Sequence, residues 1–219
     1  MEAPEEWQRV WKGVRDLSDQ FGERIIFIGG VAVYLHVKGK RKAFIGYSHD
    51  GDFYISLEDF AELRDAEEVV SNKRLGKHQV IKDGIDFDVY VERNNSLRVR
   101  YEDIEAASVV IDGVRVASLE HLLLLKLDAY QNRRGSRKGE KDETDVIRLG
   151  FLLSSGVDRK LLEPYLTEAM LELLRSVERS SQFFELCRKN AHEAKKLREA
   201  FHVTVEAVAS VLSSPSRRR

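Results

Sequence analysis

Two alternating segments, HQVIK at 78–82 and IDFDVYV at 85–91, constrain this fold more than any other feature of the sequence. They are joined by Asp83-Gly84, and Asp-Gly between such segments is a strong signal for a β-hairpin turn. Successive side chains of a strand point to opposite faces. The second segment therefore has an apolar face and an opposite, acidic face, the latter formed by Asp86, Asp88, Tyr90 and Glu92.

A second acidic segment precedes the hairpin, in GYSHDGDFYIS at 46–56. Asp50 and Asp52 share a face with Tyr54 in this predicted strand, and they lie about 7 Å apart because each residue rises about 3.3 Å. If the two acidic strands are neighbours, up to four carboxylates converge. Such a group repels itself and would hold extra protons or, more simply, cations, and ligands that are all oxygen suit Mg²⁺ or Mn²⁺ rather than zinc.

The same residues allow a simpler interpretation. Asp50-Gly51 is then a surface turn, and Asp86 and Asp88 are the solvated face of a half-exposed sheet. An EF-hand loop is excluded, because Ile55 stands where that loop requires glycine.

The pattern of the chain changes near residue 118, and we expect a mixed α/β sheet followed by helices. The predicted domains are an α/β core at 1–117, a helical domain at 118–212 and a disordered tail at 213–219. The predicted elements are helices at 5–21, 57–69, 118–130, 143–153, 162–177 and 182–212, strands at 24–28, 52–56, 78–82 and 85–91, and a pair of short strands at 108–117.

Composition excludes several classes of protein. The net charge of −1 produces no overall attraction to nucleic acid or anionic lipid. The single cysteine, Cys187, permits neither an intrachain disulfide nor a zinc site built from several cysteines. The apolar stretch at 25–37 is shorter than the ~20 residues of a membrane span. The acidic, amphipathic N-terminal segment is not typical of a signal peptide, so we expect a cytoplasmic protein that does not contact membranes.

The segment IIFIGG at 25–30 predicts a strand, two glycines and then a helix. Gly29 and Gly30 let the backbone approach a ligand closely, and the start of the following helix favours anions. Ser48 could offer its hydroxyl to a phosphate, although a serine in a turn is the simpler interpretation. The spacing matches neither the phosphate-binding P-loop nor the dinucleotide-binding fingerprint.

In order along the chain, IGG at 28–30, SHDGDF at 48–53 and IDFDVY at 85–90 resemble the nucleotidyltransferase fold of the DNA polymerase β type. The resemblance implies that Asp50 and Asp52 bind metal ions, with Asp88 as the third acid and Asp86 as its fallback. It also places Gly29, Gly30 and Ser48 at triphosphate-binding positions. Gly51 departs from the family pattern, which has an apolar residue between the first two acids.

The helical half carries a further motif. The helix predicted at 118–130 is leucine-rich around its circumference, so Lys126 needs a partner, and antiparallel packing of the next helix brings Asp145 to a similar height. The segment NRRGSRKGEK at 132–141 is a predicted basic loop. This region resembles minimal and AbiEii-type nucleotidyltransferases, which implies nucleotide-binding roles for Lys126, Arg133, Arg134, Lys141 and Asp145, with Asp142 supporting them.

The resemblance therefore implies an enzyme that transfers an NMP from an NTP to a hydroxyl acceptor with Mg²⁺ or Mn²⁺. The acceptor could be RNA such as a tRNA end, a protein hydroxyl or a small molecule, and an antitoxin could be a partner. Two other hypotheses fit the same residues. One is a nucleotide- or RNA-binding module without catalysis, and the other is a structural member of a toxin–antitoxin pair.

Overall fold

The computed structural model describes residues 4–40, 44–72 and 76–213, which divide into two compact units. The first unit holds residues 4–40 and 45–118, and the second holds Phe44 and residues 119–213. Within the described ranges, no helix combines the length and apolar character that crossing a membrane requires. Residues 214–219 of the predicted disordered tail lie outside those ranges.

The first unit is built on one mixed sheet, and the predicted α+β fold with a mixed sheet is confirmed. In the described residues its strand order is β3-β4-β5-β2-β1-β7-β6. The β2–β5 and β1–β7 pairs are parallel, and the remaining pairs are antiparallel. The strands are β1 (Ile25–Ile28), β2 (Gly51–Ile55), β3 (Val69–Asn72), β4 (Lys77–Lys82), β5 (Ile85–Val91), β6 (Val109–Ile111) and β7 (Val114–Val116), and the helices are α1 (Glu5–Phe21), α2 (Gly29–Lys38), α3 (Leu57–Ala66) and α4 (Tyr101–Ala106).

Two Asp-Gly turns join neighbouring strands, as the sequence predicts. Asp83-Gly84 links β4 to β5 and Asp112-Gly113 links β6 to β7, with φ between 51° and 77° at all four residues. Turns with both central residues left-handed match the twist of a two-stranded hairpin. Edge strand β3 was missed, because its residues are mostly exposed and carry no apolar alternation.

Burial follows the predicted periodicities. Helix α1 buries Trp7, Val10, Val14 and Leu17 on one stripe, which is the pattern of an amphipathic helix on a core. Strand β1 is buried throughout, whereas β5 alternates between buried and more exposed residues. The alternation leaves one face of β5 accessible, and Asp88 lies on that face.

The second unit is helical in its described residues. Its helices are α5 (Leu119–Arg133), α6 (Arg137–Leu153), α7 (Arg159–Leu162), α8 (Glu168–Val177), α9 (Gln182–Leu186) and α10 (Ala191–Ser213). Helix α5 is buried around most of its circumference, as its leucine content predicts.

Two of the long predicted helices are interrupted, so those boundaries were wrong. The segment 162–177 contains a turn at Pro164, and α8 begins only after Thr167, whose side chain accepts a hydrogen bond from Met170 N. The segment 182–212 breaks between α9 and α10, where Arg188 and Lys189 adopt positive φ. Asn190 then accepts a hydrogen bond from Glu193 N. In both places a capping side chain starts a new helix.

Candidate active site

The acidic strands β2 and β5 are direct neighbours in the sheet. They run parallel, with Asp52 opposite Asp88 and Gly51 opposite Phe87. Since residues paired in register lie on the same face, the side chains of Asp52 and Asp88 stand side by side. Asp50 lies in a bend just before β2, and Asp86 is exposed two residues before Asp88. The strand begins at Gly51, one residue earlier than predicted.

Gly29 makes room for the carboxyl group of Asp52. Ile28, the last residue of β1, pairs with Asp52, and the chain then enters α2 at Gly29, whose φ is +63°. A Cβ at residue 29 would come closer than 3.0 Å to the Asp52 carboxyl group. A carboxylate beside the start of a helix is electrostatically favourable, and Ile28 provides no side-chain cap there. The glycine is therefore required both by its φ and by the acid that packs on it.

Gly30, the second glycine, is buried in the first turn of α2. The structure places it directly after the residue that contacts Asp52. Its role in binding a triphosphate stays a prediction from the resemblance.

Ser48 contacts Asp50 directly. Its hydroxyl donates a hydrogen bond of 2.9 Å to Asp50 Oδ1, and the residue is only 2% exposed. The neighbouring His49 is exposed and pairs with Glu6 of α1. The hydroxyl therefore orients the first acid of the motif, which is a contact that the sequence did not predict.

Gly51, the departure from the family pattern, has a packing explanation. A Cβ at residue 51 would come closer than 3.0 Å to the ring of Phe87, which is fully buried. The far edge of the same ring lies where a Cβ of Gly13 in α1 would be, at 2.6 Å from Phe87 Cζ. The ring is thus held between two glycines, and it occupies the space that a side chain at position 51 would need.

Asp88 has a partner that the sequence analysis missed. The ammonium group of Lys77, in β4, donates a hydrogen bond to Asp88 Oδ2. The hairpin register could have revealed this pair: Gln79 lies opposite Asp88, and Lys77 is two residues before Gln79 on the same face.

The ligand chemistry of this edge fits a hard divalent cation in part. Asp50 and Asp52 offer oxygen ligands of the kind that Mg²⁺ prefers, and Gly29 leaves space beside one of them. Across residues 4–40, 44–72 and 76–213, no three His, Cys, Asp or Glu side chains form a group that could hold a metal ion. Asp88 is paired with Lys77 instead.

The second unit contains a buried group of charges on α5 and α6. Lys126 Nζ lies 3.1 Å from Asp142 Oδ1 and 2.8 Å from Asp145 Oδ2. Arg148 pairs with Asp145 at 2.7 Å and also donates to the carbonyl of Phe44. The predicted pairing of Lys126 with Asp145 is confirmed, and each of the four charged residues is at most 9% exposed.

Electrostatics keep Asp145 ionised in this surrounding. Burial alone would raise the pKa of Asp145, but the charges of Lys126 and Arg148 outweigh burial and leave the pKa below its usual range. Lys126 is correspondingly occupied by two carboxylates. Its predicted contact with a nucleotide therefore stays a prediction, and its observed role is to hold α5 against α6.

The predicted basic loop at 132–141 is shorter than expected. Only residues 134–136 separate the helices, because Ser136 caps α6 by accepting from Gly139 N. Arg133 is the last residue of α5, with Nε 3.5 Å from Asp142 Oδ2, and Arg134 lies over the Tyr130 ring. Lys141 is half-buried within α6, so of these three basic residues Arg134 is in the short connection and the other two are in helices.

Comparison with solved structures identifies the fold. An antigenic nucleotidyltransferase-like protein from Paracoccidioides brasiliensis matches 86% of this chain and 93% of its own, with 16% identity and a TM-score of 0.51. JHP933 from Helicobacter pylori matches 96% of this chain and 93% of its own, with 15% identity and a TM-score of 0.49. The Megavirus polyadenylate synthase matches 68% of this chain, with 17% identity and a TM-score of 0.48, and this chain spans only 32% of its length.

No family model and no curated protein matches the chain. The structural likeness nevertheless shows a nucleotidyltransferase-like fold, which confirms the fold that the resemblance implied. The finer likeness to minimal and AbiEii-type proteins stays a prediction.

Proposed function

Starting from this fold, we propose that the chain is a metal-dependent nucleotidyltransferase that moves an NMP from an NTP to a hydroxyl acceptor. The observation that carries the proposal is the parallel register of β2 and β5, which sets Asp52 beside Asp88 on an accessible face. The glycine at the start of α2 leaves room for Asp52, so the carboxylates and the first turn of a helix share one edge.

Asp50 and Asp52 would hold Mg²⁺ or Mn²⁺, with Ser48 orienting Asp50. A bound divalent cation supplies positive charge that neutralises the phosphates of the NTP. The acceptor oxygen attacks the α-phosphorus in line, the bond to the β-phosphate oxygen breaks, and pyrophosphate leaves. Asp88 is the proposed third acid of the site, with Asp86 as its fallback, and the acceptor proton passes to the carboxylate of Asp88. Such catalysis relies on positioning and electrostatics rather than on a nucleophilic side chain.

In the first unit, the backbone at Gly29 and Gly30 is the proposed element that binds the phosphates of the NTP. For the second unit, the resemblance assigns nucleotide-binding roles to Lys126, Arg133, Arg134, Lys141 and Asp145. Because Lys126 and Asp145 are buried in ion pairs, we assign them to holding that region in shape, and we assign direct phosphate contact to the more exposed arginines.

The test is transfer of label from α-labelled NTPs in the presence of Mg²⁺, for the wild type, Asp50→Asn and Asp52→Asn. The turnover of each variant should fall by about a hundredfold to a thousandfold, the loss seen when one main electrostatic group of an active site is removed. Asp83→Asn is the matched control. Asp83 is an exposed turn residue with positive φ, and asparagine also adopts that conformation readily. Turnover that survives both substitutions would exclude the proposal.

The acceptor class is open to a separate test. If the acceptor is RNA such as a tRNA end, affinity should fall steeply with salt, because phosphate contacts release counterions. Neutralising Arg133, Arg134 and Arg137 should then flatten the slope. Affinity that is independent of salt would favour a protein hydroxyl or a small uncharged acceptor.

A binding module without catalysis is the second candidate, and the Lys77–Asp88 pair favours it, because that pair occupies the third acid. Calorimetric binding of an NTP without any product would support this alternative. An antitoxin partner stays a hypothesis beside both candidates.

A further inference from the structure

A short segment between α2 and β2 carries Asp50, and the first turn of α1 contacts it at two places. The ring of Tyr47 packs against the ring of Trp7, with 5.5 Å between the ring centroids. The imidazole of His49 contacts the carboxylate of Glu6 through Nδ1. Trp7 is only 3% exposed, so its ring is a fixed part of the core. Two consecutive residues of one helix therefore contact two alternate residues of the segment.

The remaining residues of the segment, Ser48 and Asp50, contact each other through the hydrogen bond from Ser48 Oγ to Asp50 Oδ1. Contacts with α1 and contacts among the acidic motif thus alternate along residues 47–50. Because all four residues share one stretch of backbone, the position of Asp50 depends on where α1 holds its neighbours.

The ring of Tyr47 also contacts α2. Its centroid lies 6.1 Å from that of Tyr34, a residue of α2, and the Tyr34 ring lies 4.4 Å from the Trp7 ring. All three pairs of rings are tilted, and tilted aromatic rings attract each other beyond their burial because their charge distributions are complementary. Trp7, Tyr34 and Tyr47 form one aromatic group that joins the segment to both helices.

Helix α2 contacts the second acid of the motif, since Gly29 is its first residue and packs against Asp52. The aromatic group therefore lies between the segment that carries Asp50 and the helix that contacts Asp52. Such outer contacts orient the ligands of a metal ion, and their loss typically weakens metal binding by about 10- to 100-fold.

We propose that Tyr47 is a positioning residue of the metal site. Its ring, packed between α1 and α2, keeps Asp50 where it can bind a divalent cation together with Asp52. The inference rests on the proposed function, which makes Asp50 and Asp52 the metal-binding acids. Tyr47 is not itself a ligand, and it acts through the backbone of residues 48–50.

Mn²⁺ alone is the probe, with free Mn²⁺ measured by electron paramagnetic resonance at equilibrium with the full chain. Tyr47→Ala removes the ring and should weaken Mn²⁺ binding by about tenfold, the lower end of the range for lost outer contacts. Tyr47→Phe keeps the ring and should bind Mn²⁺ like the wild type. Tyr47→Leu repeats the test with a larger apolar side chain if the alanine variant does not fold.

Trp11→Ala is the matched control. Trp11 is a partly buried residue of α1, and among the described residues its ring contacts Trp7 at 6.2 Å and Tyr34 at 6.0 Å but not Tyr47. The substitution removes packing from the same neighbours and should lower the urea midpoint. It should nevertheless bind Mn²⁺ like the wild type, because Trp11 does not contact the segment that carries Asp50.

Three results would overturn the inference alone: ring-less variants of Tyr47 that bind Mn²⁺ like the wild type, Tyr47→Phe weakening Mn²⁺ binding as much as Tyr47→Ala, or Trp11→Ala doing so. Absence of Mn²⁺ binding by the wild type would overturn both the inference and the metal-dependent function. If the Mn²⁺ results are as expected but no NTP is turned over, the proposed function fails and the role of Tyr47 stands.

Discussion

The two units of the chain each combine lysine with two aspartates, but with different consequences. In the second unit, Lys126 contacts Asp142 and Asp145, and all three residues are at most 8% exposed. In the first unit, Lys77 pairs with Asp88, and Asp52 lies beside Asp88 on the neighbouring strand, where the side chains are only partly buried. The comparison shows that the same residue types form a buried structural group in one place and a more accessible group in the other.

The largest expected effect comes from removing Lys126 from the buried group that it forms with Asp142 and Asp145. Lys126→Met leaves two carboxylates in a buried site and should lower the free energy of unfolding by about 3–5 kcal/mol. Urea denaturation measures the change. Lys12→Met is the control, because the Lys12–Asp83 pair is exposed, and it should leave the urea midpoint unchanged. Equal effects of the two substitutions would contradict a structural role for Lys126.

The packing beneath the acidic edge gives a smaller expected effect. Gly51→Val forces a side chain into the ring of Phe87 and should destabilise the fold by about 1–3 kcal/mol, the usual cost of overpacking a core. Thermal or urea unfolding measures it.

The partner substitution makes that test specific. In the presence of Phe87→Leu, Gly51→Val should cost less than it does alone, since the smaller side chain vacates part of the space. Gly39→Ala is the control, because no atom lies within 4 Å of a Cβ at that residue, and it should have little effect. Strictly additive energies for the pair would mean that the ring and residue 51 do not compete for space.

The smallest expected effect is a dependence on pH in the buried group. The pKa of Asp145 is lower in the folded chain than in the unfolded chain, so the unfolded chain binds more protons and stability rises with pH through this interval. The contribution is complete above the ordinary aspartate pKa of about 3.9 and is lost as pH falls toward the depressed folded value. Urea midpoints between about pH 5.5 and 3 measure it.

Asp145→Asn should flatten this part of the pH dependence. Asp86→Asn, at an exposed residue of β5, should keep the wild-type slope. An unchanged slope in Asp145→Asn would mean that the acid sensitivity arises elsewhere in the chain.

Local rules were sufficient for much of the fold and for part of the candidate site. The alternation in 85–91 and the Asp-Gly turn predicted the hairpin, and the face that carries Asp88 followed from the same alternation. The antiparallel geometry of two helices predicted the pairing of Lys126 with Asp145. Each of these inferences needed only the spacing of residues within two consecutive elements, the β4–β5 hairpin in one case and the α5–α6 helix pair in the other.

The remainder depends on contacts between distant segments. Phe87 fits between Gly13 and Gly51, which are 38 residues apart in sequence, and no local pattern shows that. The break before α10 uses positive φ at Arg188 and Lys189 rather than at a glycine, so the usual marker of a helix end is absent. Lys77 was within reach of sequence reasoning, but only after the hairpin register had been followed past the facing residue.

The ring of Phe87 fills the space between Gly13 of α1 and Gly51 of β2, so the packing of these two elements depends on the size of that side chain. Substitutions at positions 13, 51 and 87 should therefore be inherited together: a relative with a bulky residue after its first acid should carry a smaller side chain at the position of Phe87. A search for distant relatives that scores the three positions as one unit would recognise chains in which the glycine and the aromatic ring have exchanged places.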